Sequence, residues 1–187
     1  DFDGSEGCAA SGQGDYGFEL FAKDFYDNLD GRVVLNGTSN SEHFYWHINT
    51  YCNWGEPWYE GFREQMQKYR IDNQNLFDRN FMQHMLGWYL LTETTSLSDI
   101  EWMLARGAFY NAGFALATNM DALHKNPDTG IILDAIREWE DARLSDSFPE
   151  DIRERMKDTR SEFHLEKYAD GWKLFPFKNS GEFIHEK

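Results

Sequence analysis

The segment DFDGSEG sets three carboxylates, Asp1, Asp3 and Glu6, beside a run of glycines that continues with Gly12 and Gly14. Further along, Asn36, Glu42, His43, Glu93, Asn119 and Asp121 add acids, amides and a single base at points where apolar runs end. Glycosidic cleavage needs such groups: two carboxyls ~5–5.5 Å apart for retention of configuration, or ~6.5–9.5 Å apart for inversion. Asp3, Glu6 and Glu93 are the candidate catalytic carboxyls, with Asp3 and Glu6 the sharpest pair. The loop from Glu42 to Glu60 carries Trp46, Trp54 and Trp58 among Phe44, Tyr45, Tyr51 and Tyr59. Indole faces stack on the C–H surfaces of sugars, while Asn36, Glu42, His43 and Asp121 would bind hydroxyls. Two plainer readings stand beside this one. Acids next to glycines also cap turns and helix starts, and part of the ring-rich loop could be a local buried cluster.

Other chemistries fit less well. His43 and His47 have the i, i+4 spacing of a helical zinc pair, but H-E-x-x-H is absent and HFYWHINTYCNW makes a poor exposed helix. DFDGSEG is not an EF-hand loop, because position six must be glycine and is Glu6, while position twelve must be glutamate and is Gly12. Calcium on Asp1, Asp3 and Glu6 in another geometry stays open, but no metal or cofactor is expected. No G-x-S-x-G elbow occurs, and nothing selects Cys8 as a nucleophile. Cys8 and Cys52 permit one disulfide or two free thiols. Asn36-Gly37-Thr38 matches a glycosylation acceptor, a short pattern common by chance.

These groups need elements to hold them. Asp1–Gly4 reads as the end of a buried strand, on which Asp1 and Asp3 share the face opposite Phe2. Tyr16–Leu29 has helical spacing, with Phe18, Phe21, Ala22, Phe25 and Leu29 on one stripe. RVVLNGT predicts a second strand ending at Thr38, and Phe62–Tyr69 a short amphipathic helix. MLGWYLL is a third apolar run that stops before Glu93. Ser98 with Glu101 three residues on predicts a capping box and a helix to about Asn111. GFALAT at Gly113–Thr118 is the fourth strand. A long helix follows at Thr129–Leu144, with Ile131, Ile132, Ala135, Ile136, Trp139 and Ala142 as its apolar face. Pro149 opens a short charged helix, and EFHLEKYADGWKLFPF predicts a β-hairpin around Asp170-Gly171.

Strand and helix thus alternate four times, the order of parallel strands joined by crossover helices. Eight such units close a barrel; four make half of one. The glycine-rich turn is neither G-x-G-x-x-G nor G-x-x-x-x-G-K-[ST], which argues against a nucleotide-binding doubly wound sheet. The expected fold is α/β, the C-terminal half of a (β/α)8 barrel over residues 1–145. Residues 146–187 would hold a short helix and a β-hairpin that opens a β-rich region. In a barrel the strand C-termini carry the chemistry, and the acids and amides above fall there.

Composition limits the partners. The chain has 187 residues, 18 Lys+Arg against 33 Asp+Glu, a net charge of −15, and 17% aromatic residues. That apolar and aromatic content excludes a disordered chain. The acidity argues against nucleic acid and anionic membranes, which are held by Lys and Arg. No apolar run reaches the ~18–20 residues of a membrane helix. Opening on Asp1 in a strand-like stretch suggests excision from something longer, so the missing N-terminal half of the barrel is an expected partner.

DFDGSEG with its glycine-rich turn and YGFELFAKDFYDNL resembles the strand-to-helix junction of large bacterial polysaccharide-degrading barrel proteins. SLSDIEWMLARGAFYNAGFALAT, the long helix after it and a hairpin ending GWKLFPF carry the same resemblance. It implies a (β/α)8 glycoside hydrolase-like catalytic domain followed by a β-sandwich, acting on poly- or oligosaccharide. In retaining α-glycosidases of that build a strand-end Asp is the nucleophile, the place Asp3 occupies here. No proton donor matches residue by residue, so Glu6, Glu42 and Glu93 stay open. The expected protein is a secreted or periplasmic hydrolase; a non-catalytic glycan-binding barrel or a protein-interaction scaffold is the alternative.

Overall fold

The computed structural model describes residues 12–30, 36–38, 49–51, 63 and 84–177. Helix α1 spans Asp15–Asp27, strand β1 Asn36–Thr38 and strand β2 Asn49–Tyr51. Then come β3 (His84–Leu90), α2 (Leu97–Tyr110), β4 (Ala112–Ala117), α3 (Met120–Lys125), α4 (Thr129–Leu144) and α5 (Glu150–Lys157). Strands β5 (Glu162–Tyr168) and β6 (Gly171–Phe177) complete the order. This is the mixed content of an α/β chain. Among the described residues the strands form three small sheets of two: β1 with β2, β3 with β4, and β5 with β6. No helix among them is long and apolar enough to cross a membrane.

The unit β3–α2–β4 sets the geometry. Its strands are parallel, with His84 opposite Ala112 and Leu90 opposite Ala117, so a crossover must join them and α2 is that crossover. The ladder shifts register between Met85 and Trp88. Gly87 sits in the shift with φ 123°, a backbone conformation that a β-carbon would oppose.

Helix α2 starts two residues earlier than the Ser98 pattern predicts. Ser96 is the N-cap: its Oγ accepts the Asp99 N–H at 3.2 Å, and Asp99 Oδ2 accepts the Ser96 N–H at 3.4 Å. Both S-x-x-D at Ser96 and S-x-x-E at Ser98 fit a capping box. Glu101 is taken up elsewhere, which leaves Ser96 and Asp99 to close the helix start. The helix ends at Asn111, in the left-handed region at φ 46°, where asparagine is tolerated. Just before that end, a β-carbon on Gly107 would lie 3.2 Å from the Ala112 carbonyl oxygen, so the turn into β4 passes close over the helix.

Almost every side of α2 is covered. Ile100, Met103, Leu104, Ala105 and Ala108 are buried, together with Trp102 and Arg106. The apolar ones join Leu86 of β3, Ile132 and Trp139 of α4, Met156 of α5, and Phe163 and Leu165 of β5 in one core cluster. Each large apolar side chain so enclosed contributes about 1.5–3 kcal/mol. The long helix is present at the expected bounds with Ile132, Trp139 and Ala142 inside, but Ile131 is 51% exposed. One residue of helix turns a side chain by about 100°, enough to take Ile131 off the buried stripe.

A helix enclosed this way must satisfy its polar groups internally. Trp102 Nε1 donates to the Thr159 carbonyl at 2.9 Å, and Arg106 donates to the carbonyls of Asp158 and Ser161. These bonds pin the turn between α5 and β5. Arg63 bridges the start of α2 to β5 through Asp99 and Glu162. Burial works against its charge, but the hydrogen bonds to Glu162 and Asp99 outweigh it and hold the guanidinium above its ordinary range. The hairpin β5–β6 forms as expected, with Tyr168 opposite Gly171 at the tip.

Candidate functional site at the strand ends

The C-terminal ends of β3 and β4 leave the sheet side by side. The Leu91 N–H donates to the Ala117 carbonyl at 2.9 Å, and Thr118 Oγ1 donates back to the Leu91 carbonyl at 3.0 Å. Beyond this lock, the loop Thr92–Thr95 follows β3 and helix α3 follows β4. Thr95 Oγ1 accepts the Thr92 N–H at 2.9 Å, which folds the loop on itself. Asn119 caps α3, its Oδ1 accepting the Ala122 N–H at 2.9 Å. Asn126, buried after α3, donates through Nδ2 to the carbonyls of both Thr92 and Thr95 at 2.9 Å. The two strand-end loops are therefore clamped together.

The clamp brings Glu93 and Asp121 to one open depression of about 880 Å³, also lined by Thr92, Thr94, Met120 and Lys125. Lys125 Nζ stands 4.0 Å from Glu93 Oε2 and 3.7 Å from Asp121 Oδ2. The two carboxylate oxygens can be no farther apart than the sum of those distances. That bound admits the ~5–5.5 Å retaining separation and the lower part of the ~6.5–9.5 Å inverting range. All three side chains face water: Glu93 is 57% exposed, Asp121 85% and Lys125 63%. Ion pairs so placed contribute at most about 1 kcal/mol each. Charged acceptors, an ammonium donor and threonine hydroxyls make this a surface that can hydrogen-bond a polyol.

Asn36 lies in β1, its backbone in register with Asn49 of β2, outside the β3–β4 unit. Asp3, Glu6, Glu42, His43, Trp46, Trp54 and Trp58 lie outside the described residues. Lys125 went unread in the sequence, although D-A-L-H-K carries the i, i+4 acid–base spacing that pairs side chains on a helix. Among the described residues no group of three or more His, Cys, Asp or Glu side chains is placed to hold a metal ion.

No protein-family model, curated protein or solved structure matches the chain.

Proposed function

We propose that this chain is the C-terminal half of a (β/α)8 barrel in a secreted or periplasmic protein that cleaves glycosidic bonds of poly- or oligosaccharide. One observation carries the reading. Glu93 and Asp121, far apart in the chain, meet at the C-terminal ends of two adjacent parallel strands, where barrel enzymes place their chemistry. Strands β2 and β3 also lie near one another, in separate two-stranded sheets. In this reading Asp3 is the nucleophile, Glu6 or Glu93 the general acid/base, and Asp121 a ligand for substrate hydroxyls. Trp46, Trp54 and Trp58 stack on sugar rings, with Asn36, Glu42 and His43 beside them. Aryl glycoside turnover by the intact protein tests it. Asp3→Asn, Glu6→Gln and Glu93→Gln should include a loss of roughly 10²-fold or more, and full activity in all three overturns the assignment.

The exposure of both carboxyls favours a second reading. A general acid is commonly a carboxyl withdrawn from water, whereas Glu93 and Asp121 stand in it. A glycan-binding barrel without cleavage needs only the hydrogen bonds. Calorimetric titration with a glycan panel would then give affinity that Trp46→Ala or Trp54→Ala removes, with no hydrolysis.

A further inference from the structure

Away from the strand ends, the outward face of the hairpin carries a second group of chemistry-bearing side chains. His164 and Glu166 are two residues apart on β5 and so share a face. His164 Nδ1 lies 3.0 and 2.9 Å from the two oxygens of Glu101, a carboxyl buried on α2. Glu101 Oε1 also accepts from Trp139 Nε1 at 3.0 Å and from the Leu165 N–H at 3.1 Å. A carboxylate collecting three donors is an acceptor, so the proton shared with His164 sits on Nδ1. Nε2 is then the ring nitrogen that faces outward, toward Glu166.

Glu166 is held in the same fashion. Its Oε2 accepts the Tyr168 hydroxyl at 2.7 Å. Lys173, directly across the ladder, places its ammonium over the Tyr168 ring, 4.2 Å from the centroid. Nε2 of His164 and Oε1 of Glu166 are left facing each other at 3.7 Å, beyond hydrogen-bond length. Metal–nitrogen and metal–oxygen bonds of ~2.0–2.2 Å give a tetrahedral edge of about 3.4 Å. The observed gap is a few tenths of an ångström from that edge. Imidazole bound at Nε2 with its other nitrogen on a buried carboxylate is the usual outer-shell arrangement of a metal-binding histidine. A net charge of −15 also raises the local concentration of cations.

We propose that His164 and Glu166 form a surface site for a borderline divalent transition-metal ion such as Zn²⁺, oriented by Glu101 and Tyr168 and completed by water. With two protein ligands the site is labile and takes metal reversibly.

The full chain, stripped with a chelator and dialysed, is titrated with ZnCl₂ by calorimetry while the His164 ring nitrogens are followed by NMR. One equivalent should bind with the Nε2 resonance of His164 shifting. Glu166→Gln, an exposed change that leaves the core untouched, and His164→Asn should each weaken that event roughly tenfold or more. The proposal is overturned by no binding up to millimolar Zn²⁺, by binding that leaves His164 Nε2 unmoved, or by full affinity in either variant.

Discussion

Glu101 Oε1 lies 3.0 Å from Trp139 Nε1, a buried bond that ties the middle of α2 to the middle of α4. Both residues are almost wholly enclosed, at 2% and 1% exposure. The same oxygen accepts the Leu165 N–H on the edge of β5. A side-chain carboxylate thus stands where a neighbouring strand would offer a carbonyl. An edge covered in this way is not available to another chain.

Replacing this carboxylate should be among the most costly single changes in the chain. Glu101→Ala strands the Trp139 and Leu165 donors inside the core, and we expect a loss of about 3–5 kcal/mol. Glu101→Gln keeps one acceptor oxygen and should cost less than half as much. Urea unfolding of the two variants beside wild type checks the order; equal stability of Glu101→Ala and wild type would refute it.

The helix start separates two serines that look alike in sequence. Ser96→Ala removes the observed cap of α2 and should destabilise by about 1 kcal/mol. Ser98→Ala, whose hydroxyl makes only a 3.0 Å bond to Ser96 Oγ and a 3.4 Å contact with Arg63, should stay within about 0.5 kcal/mol. Thermal melts of the pair decide it, and the reverse order would place the cap at Ser98.

Asn126 holds the loop that carries Glu93 without touching Glu93 itself. Asn126→Ala leaves the Thr92 and Thr95 carbonyls without their donor and should cost about 2–3 kcal/mol. Amide exchange should rise first across residues 92–95 and 119–126. A uniform rise over the whole chain would show that the clamp is not local.

Asp158 gives an acid-limb prediction with a definite sign. Hydrogen bonds from the Arg160 side chain, and then from its backbone N–H, hold the Asp158 carboxyl below its ordinary value of 3.8. A group whose folded pKa is lowered stabilises above its unfolded pKa, and that contribution disappears as pH falls through the folded value. Asp158→Asn should therefore lower the melting temperature by a small constant amount at neutral pH, with the difference shrinking below about pH 4. A gap that widened in acid would carry the wrong sign.

What the sequence reveals follows from how local each signal is. The long helix at Thr129–Leu144 and the hairpin around Asp170-Gly171 were readable because spacing and turn chemistry act over a few residues. The αβ alternation around MLGWYLL and GFALAT was readable for the same reason, and so was the choice of Glu93 and Asp121 as acids at strand ends. The Ser98 cap was misplaced because two overlapping boxes satisfy one local rule. Only the contact of Glu101 with Trp139 and Leu165 decides between them.

By itself, then, the sequence determined the acidic, ring-rich composition, the residue types available for chemistry, and the helices and strands from MLGWYLL to the C-terminal hairpin apart from α3. Strand β2 lies in the segment read as a loop, and the strand read at Asp1–Gly4 lies outside the described residues, as does the helix read at Phe62–Tyr69 but for Arg63. Tertiary structure alone decided the shifted register of β3 on β4, that Lys125 stands between Glu93 and Asp121, and that Glu101 faces inward to orient His164. Propensity and periodicity are set by neighbours along the chain. Pairing of strands, burial of a carboxylate and convergence of charges depend on residues tens of positions away, whose contacts are chosen by the packing of the whole core.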